Sequence, residues 1–198
     1  MLSRVQELNQ LFILGYLPKE KIFTSSEALT ELKRMKKKAL NNKMMEKAVV
    51  TSMNICSLKK HFQDIKSSSK FTMSEVICIQ ETWMPPQQDK NDDFQLYGFN
   101  AHFNSVGGRR GILTYFTEKY SVVEDIKEDD YQITKIASTN ADIINVYRSS
   151  NAPTVFVDDL KKLVNIEKET HIIGDFNICY KRDRGNKMIK TLEEMGFR

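Results

Sequence analysis

The sequence predicts an α/β fold in which helices cover the outer faces of two sheets, and three features of the chain predict it. A strand, an amphipathic helix and a second strand follow one another over residues 48–83. A run of short β-rich segments extends over residues 95–147, and a helix, a strand and a helix come after it. Strands with helices at both ends of the succession are typical of a layered sandwich. We therefore expect four layers, α/β/β/α, with two mainly antiparallel or mixed sheets.

Each element is assigned from its hydrophobic pattern and its flanking turns. The helix between the first two strands places Leu58, Phe62 and Ile65 on one face. Gly-Gly and Asp-Asp pairs at 107–108 and 129–130 predict turns between later strands. The predicted strands are AVVTSMNI, SEVICIQET, QLYGFNAHF, GILTYF, YSVVEDI, YQITKIAS, ADIINVY and THIIGDFNI, and the two later helices are APTVFVDDLKKLVNIEK and NKMIKTLEEMGF.

Length and charge bound the domain organisation. A chain of 198 residues can hold one substantial domain with an appendage. Residues 1–47 contain ten Lys or Arg and five Asp or Glu, whereas the remainder contains twenty and twenty-one. We expect a basic leading segment over residues 1–47, with a capped helix that begins near Ser25, and a near-neutral domain over residues 48–198. This basic segment could contact nucleic acid, although a lysine cluster alone is more often a solvated helix face or a linker.

Several classes of protein are disfavoured. No apolar run approaches the length that spans a bilayer, and the first residues are too polar for a signal peptide. We expect an intracellular protein, in the nucleus, without a membrane partner. Cys56, Cys78 and Cys179 are odd in number and form no C-x-x-C pair, so we expect reduced thiols buried near strands rather than disulfides or a zinc site.

Polar side chains follow four predicted strands at the point where each strand ends. Carboxylates and amides are oxygen ligands that suit Mg²⁺, and a phosphate requires hydrogen-bond donors. Taken singly, each cluster also has a structural explanation: a helix cap, a solvated loop residue, a half-buried strand aromatic or an Asx-turn. The clusters are Asn54, Glu81, Tyr147 with Arg148, and Asp175 with Asn177.

In their order along the chain, these clusters resemble the endonuclease/exonuclease/phosphatase superfamily, and within it the apurinic-type endonuclease domains of transposable elements. The resemblance covers residues 49–198. It rests on Asn54 before a helix, QETW at 80–83, GILTYF after Gly107-Gly108, INVYR, and IIGDFN before a helix that ends in LEEMGF. It implies Mg²⁺-dependent phosphodiester hydrolysis of the DNA endonuclease type, with Mn²⁺ as a possible substitute and DNA as the partner.

The resemblance also assigns roles to individual positions. It makes Glu81 the principal Mg²⁺ ligand, and Asn54 orients that carboxylate or a metal-bound water. It makes Tyr147 a hydrogen-bond donor to the scissile phosphate. Asp175 positions or deprotonates the attacking water, Asn177 holds a phosphate oxygen, and Arg148 is a further candidate phosphate contact.

Two departures from the family pattern qualify these expectations. Cys56 stands where many members have Asp, and the late Ser-Asp-His segment of the family is missing. His61 and His102 fall in a helix and a middle strand, and His171 falls about 13 Å along its strand from Asp175. We therefore expect a sandwich that lacks its C-terminal strands, with an open edge, poor solubility and little or no nuclease activity.

The leading segment carries a second resemblance. LSRVQELNQLFILGYLPKEKI followed by SSEALTELKRMKKK resembles the C-terminal end of Pif/RecD-type DNA helicases, in which Arg4 would correspond to an arginine that reaches the nucleotide. Because no phosphate-binding loop is present, we expect no ATP hydrolysis. A helicase remnant before a nuclease domain favours an origin in a rolling-circle helicase-endonuclease transposon.

Two alternatives stay open, as does the oligomeric state. The chain could be a noncatalytic DNA-binding module that uses the basic leading segment and Arg109-Arg110 for phosphate contacts. It could also be a phosphodiesterase or phosphatase that acts on a lipid, an inositol phosphate or RNA, because fold kinship alone does not select a substrate.

Overall fold

The computed structural model describes residues 49–86, 92–165, 167–179 and 186–197. The helicase-like segment over residues 1–47, with the helix predicted near Ser25, lies outside the described residues. The assignment of that segment therefore stays a prediction.

Two sheets of four strands form the centre of the described chain. The strands are β1 (Val50–Asn54), β2 (Val76–Gln80), β3 (Asn100–Asn104), β4 (Ile112–Phe116), β5 (Ser121–Lys127), β6 (Tyr131–Ala137), β7 (Ala141–Arg148) and β8 (Glu169–Asp175). The first sheet has the order β1-β2-β4-β3 and the second the order β5-β6-β7-β8. β1 pairs with β2 in parallel and β7 pairs with β8 in parallel, whereas the other pairs are antiparallel. The predicted mixed sheets are confirmed.

Helices cover the outer face of each sheet. They are α1 (Leu58–Ser67), α2 (Ser69–Thr72), α3 (Val155–Leu163) and α4 (Lys187–Glu194), with a short 3-10 helix at Asp92–Phe94. α1 buries the apolar face that its spacing predicts, against β2 and β4. α3 and α4 pack in the same way on β6 and β7. None of the helices in the described part of the chain is both long and apolar enough to span a membrane.

The interface between the two sheets combines an apolar cluster with a polar contact. Val76 and Cys78 of β2 pack with Ile136 and Ile143 of the second sheet. Beside them, the Gln80 side chain donates from Nε2 to Asn145 Oδ1 at 2.8 Å, and Asn145 donates to Thr114 Oγ1 at 3.0 Å. These three polar side chains are almost fully buried. The first sheet is therefore joined to the second by directional bonds as well as by apolar packing.

Some element boundaries differ from the prediction. The strand predicted over residues 95–103 begins only at Asn100, because Gly98 adopts a φ of 82° in the preceding turn. The helix predicted over residues 152–168 is confined to α3, since Val164 is extended. α2 and the 3-10 helix were not predicted, because neither is long enough to show a hydrophobic period.

The cysteine prediction is right in one part and wrong in another. All three thiols are free, and Cys78 is buried in β2. Cys56 and Cys179 are exposed. Each follows the end of a strand by at least two residues, so neither side chain lies on the buried face of a sheet.

A buried ion-pair triad lies at the start of β7. Asp142 is 2% exposed and contacts Lys135 Nζ at 2.8 Å and Lys168 Nζ at 2.9 Å. Burial alone would raise the pKa of Asp142, but the hydrogen bonds and charges of the two lysines outweigh it and lower the pKa. Because each lysine comes from a neighbouring strand or its flank, the triad ties the ends of β6, β7 and β8 together.

We predict that Asp142 makes the free energy of unfolding depend on pH in the acid range. Since its pKa is lower in the folded chain than in the unfolded chain, its contribution is complete above the ordinary value of 3.8 and is lost as pH falls through the folded-state value. Asp142→Asn should therefore lower the free energy of unfolding by about 3 kcal/mol near neutral pH, with a smaller difference in acid. Urea unfolding at several pH values measures this, with exposed Glu118→Gln as the control. A difference that stays constant down to acid pH would contradict the prediction.

Candidate active site

The carboxyl ends of four strands meet at one edge of the two-sheet core. β1 and β2 run in parallel and end together, with Asn54 opposite Gln80. β7 and β8 also run in parallel, with Tyr147 opposite Asp175. The strand-end residues that the sequence singles out therefore belong to two adjacent strand pairs, one from each sheet.

Asn54 joins the two strand pairs. Its side-chain Nδ2 donates to Glu81 Oε1 at 2.8 Å and to Asp175 Oδ2 at 2.8 Å. The two carboxylate oxygens are thus no more than two hydrogen-bond lengths apart. Asn54 does not cap the following helix, because Ser57 occupies the N-cap position of α1. The structure brings together the three polar residues on which the predicted metal site depends.

The backbone around Glu81 is held from both sides. Ser57 donates its backbone N–H to Glu81 O at 2.9 Å, and Thr82 donates to Gly111 O at 3.1 Å. Glu81 itself has a φ of 54°. Its second carboxylate oxygen, Oε2, accepts a hydrogen bond from Trp83 Nε1 at 3.3 Å. The direction of the Glu81 carboxylate is therefore set by backbone pairing and by side-chain contacts, which include those of Asn54 and Trp83.

Left-handed backbone is concentrated at this edge. Among the described residues, every non-glycine residue with positive φ lies in a loop that follows β1, β2 or β8. A non-glycine residue in this region costs about 1–3 kcal/mol, so the surrounding contacts must maintain it. Such strain is typical of functional sites. The residues are Cys56, Ser57, Glu81, Trp83 and Asn177.

Cys56 contributes a thiol where the family pattern has an acid. Its Sγ donates to Asn54 Oδ1 at 3.3 Å and lies 3.5 Å from Glu81 Oε2. Partial desolvation and then the negative charge of Glu81 raise the pKa of the Cys56 thiol. The thiol therefore acts as a neutral donor that orients Asn54.

Tyr147 lies at the end of β7, opposite Asp175 in the strand register. It is 7% exposed, and burial, followed by the charges of Glu81 and Asp175, raises the pKa of its phenol, while Arg110 acts in the opposite direction. The phenol is therefore protonated at neutral pH and can donate a hydrogen bond. The sequence patterns did not indicate that Arg110 lies near this phenol.

The loop that contains Asp175 is fastened to the end of β7. Asn177 donates its backbone N–H to Asp175 Oδ1 at 2.9 Å, which is the Asx-turn that the sequence allows, and its side chain donates to Arg148 O at 2.8 Å. Arg148 donates to Phe176 O at 3.2 Å and stacks over Phe156. In this structure both side chains hold the loop, and phosphate contacts by Asn177 and Arg148 stay predictions.

The three histidines contact other parts of the molecule. His61 lies 3.1 Å from Asp64, and His102 lies 3.2 Å from Asp125. His171 is exposed and lies 3.2 Å from Glu169, in the first half of β8. Within the described ranges, no group of three or more His, Cys, Asp or Glu side chains has the arrangement of a metal site.

The overall fold is similar to that of several solved structures. The chain is similar to an AP endonuclease from Archaeoglobus fulgidus, with 16% identity, a TM-score of 0.58 and coverage of 74% of this chain and 70% of that chain. It is also similar to the 3′ phosphatase NExo from Neisseria bound to a product DNA hairpin, with 13% identity, a TM-score of 0.56 and coverage of 75% and 71%.

A third similar structure is the endonuclease domain of TRAS1, a telomere-specific non-LTR retrotransposon, with 15% identity, a TM-score of 0.54 and coverage of 74% of this chain and 71% of that chain. No family model and no curated protein matches the sequence. The structural similarities show a partial sandwich whose fold is like that of the endonuclease/exonuclease/phosphatase structures.

Gly174 allows β8 to approach β7 immediately before Asp175. It has a φ of 153°, and a Cβ atom built on it would lie 1.9 Å from Val146 O. The neighbouring atom is backbone, so it cannot rotate away as a side chain would. The close approach of the two strands at the candidate site therefore requires glycine at this position.

We predict that Gly174→Ala lowers the free energy of unfolding by about 3 kcal/mol or more, because the clash must separate β8 from β7. Thermal unfolding together with hydrogen exchange of the β8 amides measures the effect. Gly98→Ala is the matched control, since Gly98 also has positive φ but has no atom within 4 Å of its Cβ position. Equal losses of unfolding free energy in the two variants would show that the effect comes from backbone strain at positive φ and not from the clash between β8 and β7.

Proposed function

We propose that the strand-end site is the centre of a Mg²⁺-dependent phosphodiesterase of the DNA endonuclease type. The observation that carries the proposal is the amide of Asn54, which contacts one carboxylate from each sheet at 2.8 Å. Two acids from separate sheets, held at one point beside a protonated phenol, combine metal ligands with a donor for phosphate.

The donor set fits Mg²⁺. This cation is usually bound by one or two carboxylates and completes its shell with waters and substrate phosphate oxygens. Glu81 and Asp175 would hold it, with the Asn54 amide as their common hydrogen-bond partner. When bound, the cation would polarise the phosphodiester bond and offset the charge that develops on the phosphate.

The protein side chains have separate roles in this proposal. Tyr147 donates its phenolic proton in a hydrogen bond to a phosphate oxygen, which its raised pKa permits at neutral pH. Asp175 accepts a hydrogen bond from the attacking water and aligns it. Asn177 and Arg148 keep the Asp175 loop against β7, and an Asn177 contact to phosphate remains part of the proposal.

A second candidate is a noncatalytic DNA-binding module. The specific observation in its favour is that each histidine of the chain contacts an acid away from the site. General acid–base groups contribute about 10²–10⁴-fold in rate, so a site without imidazole should be slow. In this version the basic leading segment and Arg109-Arg110 bind the phosphate backbone. We also keep the helicase remnant and the transposon origin as proposals, supported by the sequence resemblances alone.

Cleavage of a fluorescent duplex with one abasic site tests the catalytic proposal. We expect slow cleavage that requires Mg²⁺ and is abolished by Glu81→Gln and by Asp175→Asn. Glu169→Gln is the matched control, because it removes an exposed carboxylate at the opposite end of β8. Salt-sensitive DNA binding without any cleavage would replace this proposal with the noncatalytic one.

Metal binding can be measured without turnover. We expect Mn²⁺ to bind one site, detected as loss of its free electron paramagnetic resonance signal. Glu81→Gln should remove this binding, and Asn54→Ala should weaken it about tenfold, because the amide orients both carboxylates. Unchanged Mn²⁺ affinity in both variants would show that the metal site lies elsewhere or does not form.

A further inference from the structure

The single tryptophan of the chain lies beside the proposed metal ligand. Trp83 Nε1 donates to Glu81 Oε2 at 3.3 Å, and the residue is partly exposed. Its backbone N–H donates to Arg110 O at 2.9 Å, and its φ of 56° is fixed by this pairing with the loop between β3 and β4. The indole is therefore held at the rim of the site, and its Nε1 edge is hydrogen-bonded to Glu81, the proposed metal ligand.

Two neighbouring arginines in that loop have different surroundings. Arg110 is partly buried and donates to Asp129 O, so it ties the loop to the turn between β5 and β6. Arg109 is exposed, and its guanidinium carbon lies 5.5 Å from the centre of the Trp83 ring. It forms no ion pair with a described residue. Within the described ranges, this cation on the rim is therefore not paired with an acid.

We propose that Trp83 and Arg109 form a stacking position for an unpaired nucleobase next to the scissile phosphate. Nucleobases stack on aromatic rings and on the planar guanidinium of arginine, which also contacts phosphate. Because the indole Nε1 donates to Glu81, this position lies beside the proposed reaction site. The inference deepens the proposed function, on which it rests, by selecting a nucleic acid with an unstacked base as the substrate.

The chemistry of Trp83 and Arg109 favours an unpaired nucleobase over an inositol phosphate, a lipid headgroup or a continuous duplex. An inositol phosphate or a lipid headgroup supplies negative charge but no aromatic base, so it would use Arg109 alone and make no stacking contact with the indole. A continuous duplex keeps its bases stacked inside the helix. An unpaired base satisfies the ring and the guanidinium together, which neither of the other ligands does.

Fluorescence of Trp83 tests this directly, because no other tryptophan contributes. Titration with a short oligothymidylate should quench the emission. It should bind about tenfold tighter than an oligomer of equal length and charge that carries abasic residues throughout, because one stacked base is worth about that factor. Inositol hexakisphosphate is the third probe. Equal affinity for the abasic oligomer, or tighter quenching by the inositol phosphate, would overturn the proposal.

Variants are compared by the anisotropy of a fluorescein-labelled oligothymidylate. Trp83→Ala and Arg109→Ala should each remove most of the preference over the abasic oligomer, whereas Trp83→Phe should keep much of it because the ring remains. Lys70→Ala is the charge control, since Lys70 is exposed and precedes the opposite end of β2. A preference that survives Trp83→Ala would also overturn the proposal.

The same measurement distinguishes failure of this inference from failure of the proposed function. It is repeated without metal and with Glu81→Gln. If the protein still prefers oligothymidylate to the abasic oligomer under these two conditions, the result supports the stacking position even when no cleavage is found. Cleavage that requires Glu81 in a protein without base preference would sustain the metal site and reject the stacking position.

Discussion

The candidate site depends on the hydrogen bond between Gln80 and Asn145, which joins the two sheets inside the core. A buried amide without its partner costs about 1–3 kcal/mol, so sliding one sheet over the other is unfavourable. Glu81 follows Gln80 directly, and Tyr147 lies two residues beyond Asn145 on the same face of β7. The bond that fixes the sheets therefore also fixes the acid and the phenol above them.

Much of the architecture was predictable because its signals are local. The spacing of Leu58, Phe62 and Ile65 predicts the buried face of α1, and β-branched runs predict the central strands. The convergence of Asn54 with Glu81 and Asp175 followed from polar residues at strand ends in a familiar order. Their contacts in the structure confirm that the three residues meet, whereas their roles in metal binding and hydrolysis stay predictions.

The remaining features arise from tertiary contacts that leave no local signal. Nothing in the sequence pattern shows that Glu81 and Trp83 adopt left-handed backbone, because that conformation is imposed by pairing with the β3–β4 loop. Cys56 is exposed because it lies in the loop after β1 and not on the buried face of a strand. For Arg148, the residue type suggested a phosphate contact, but the end of β7 directs its guanidinium to the carbonyls of Phe176 and Ala152.

The site brings two carboxylates close together although their charges repel each other. Glu81 and Asp175 are like charges brought within two hydrogen-bond lengths, and like charges at such separations repel. The neutral amide of Asn54, donating to both, offsets part of this repulsion and lets the fold hold the acids together before any cation binds. A divalent cation would offset it more completely. The geometry that is unfavourable for two isolated carboxylates is thus the geometry that the proposed metal site requires, and the buried Gln80–Asn145 bond maintains it.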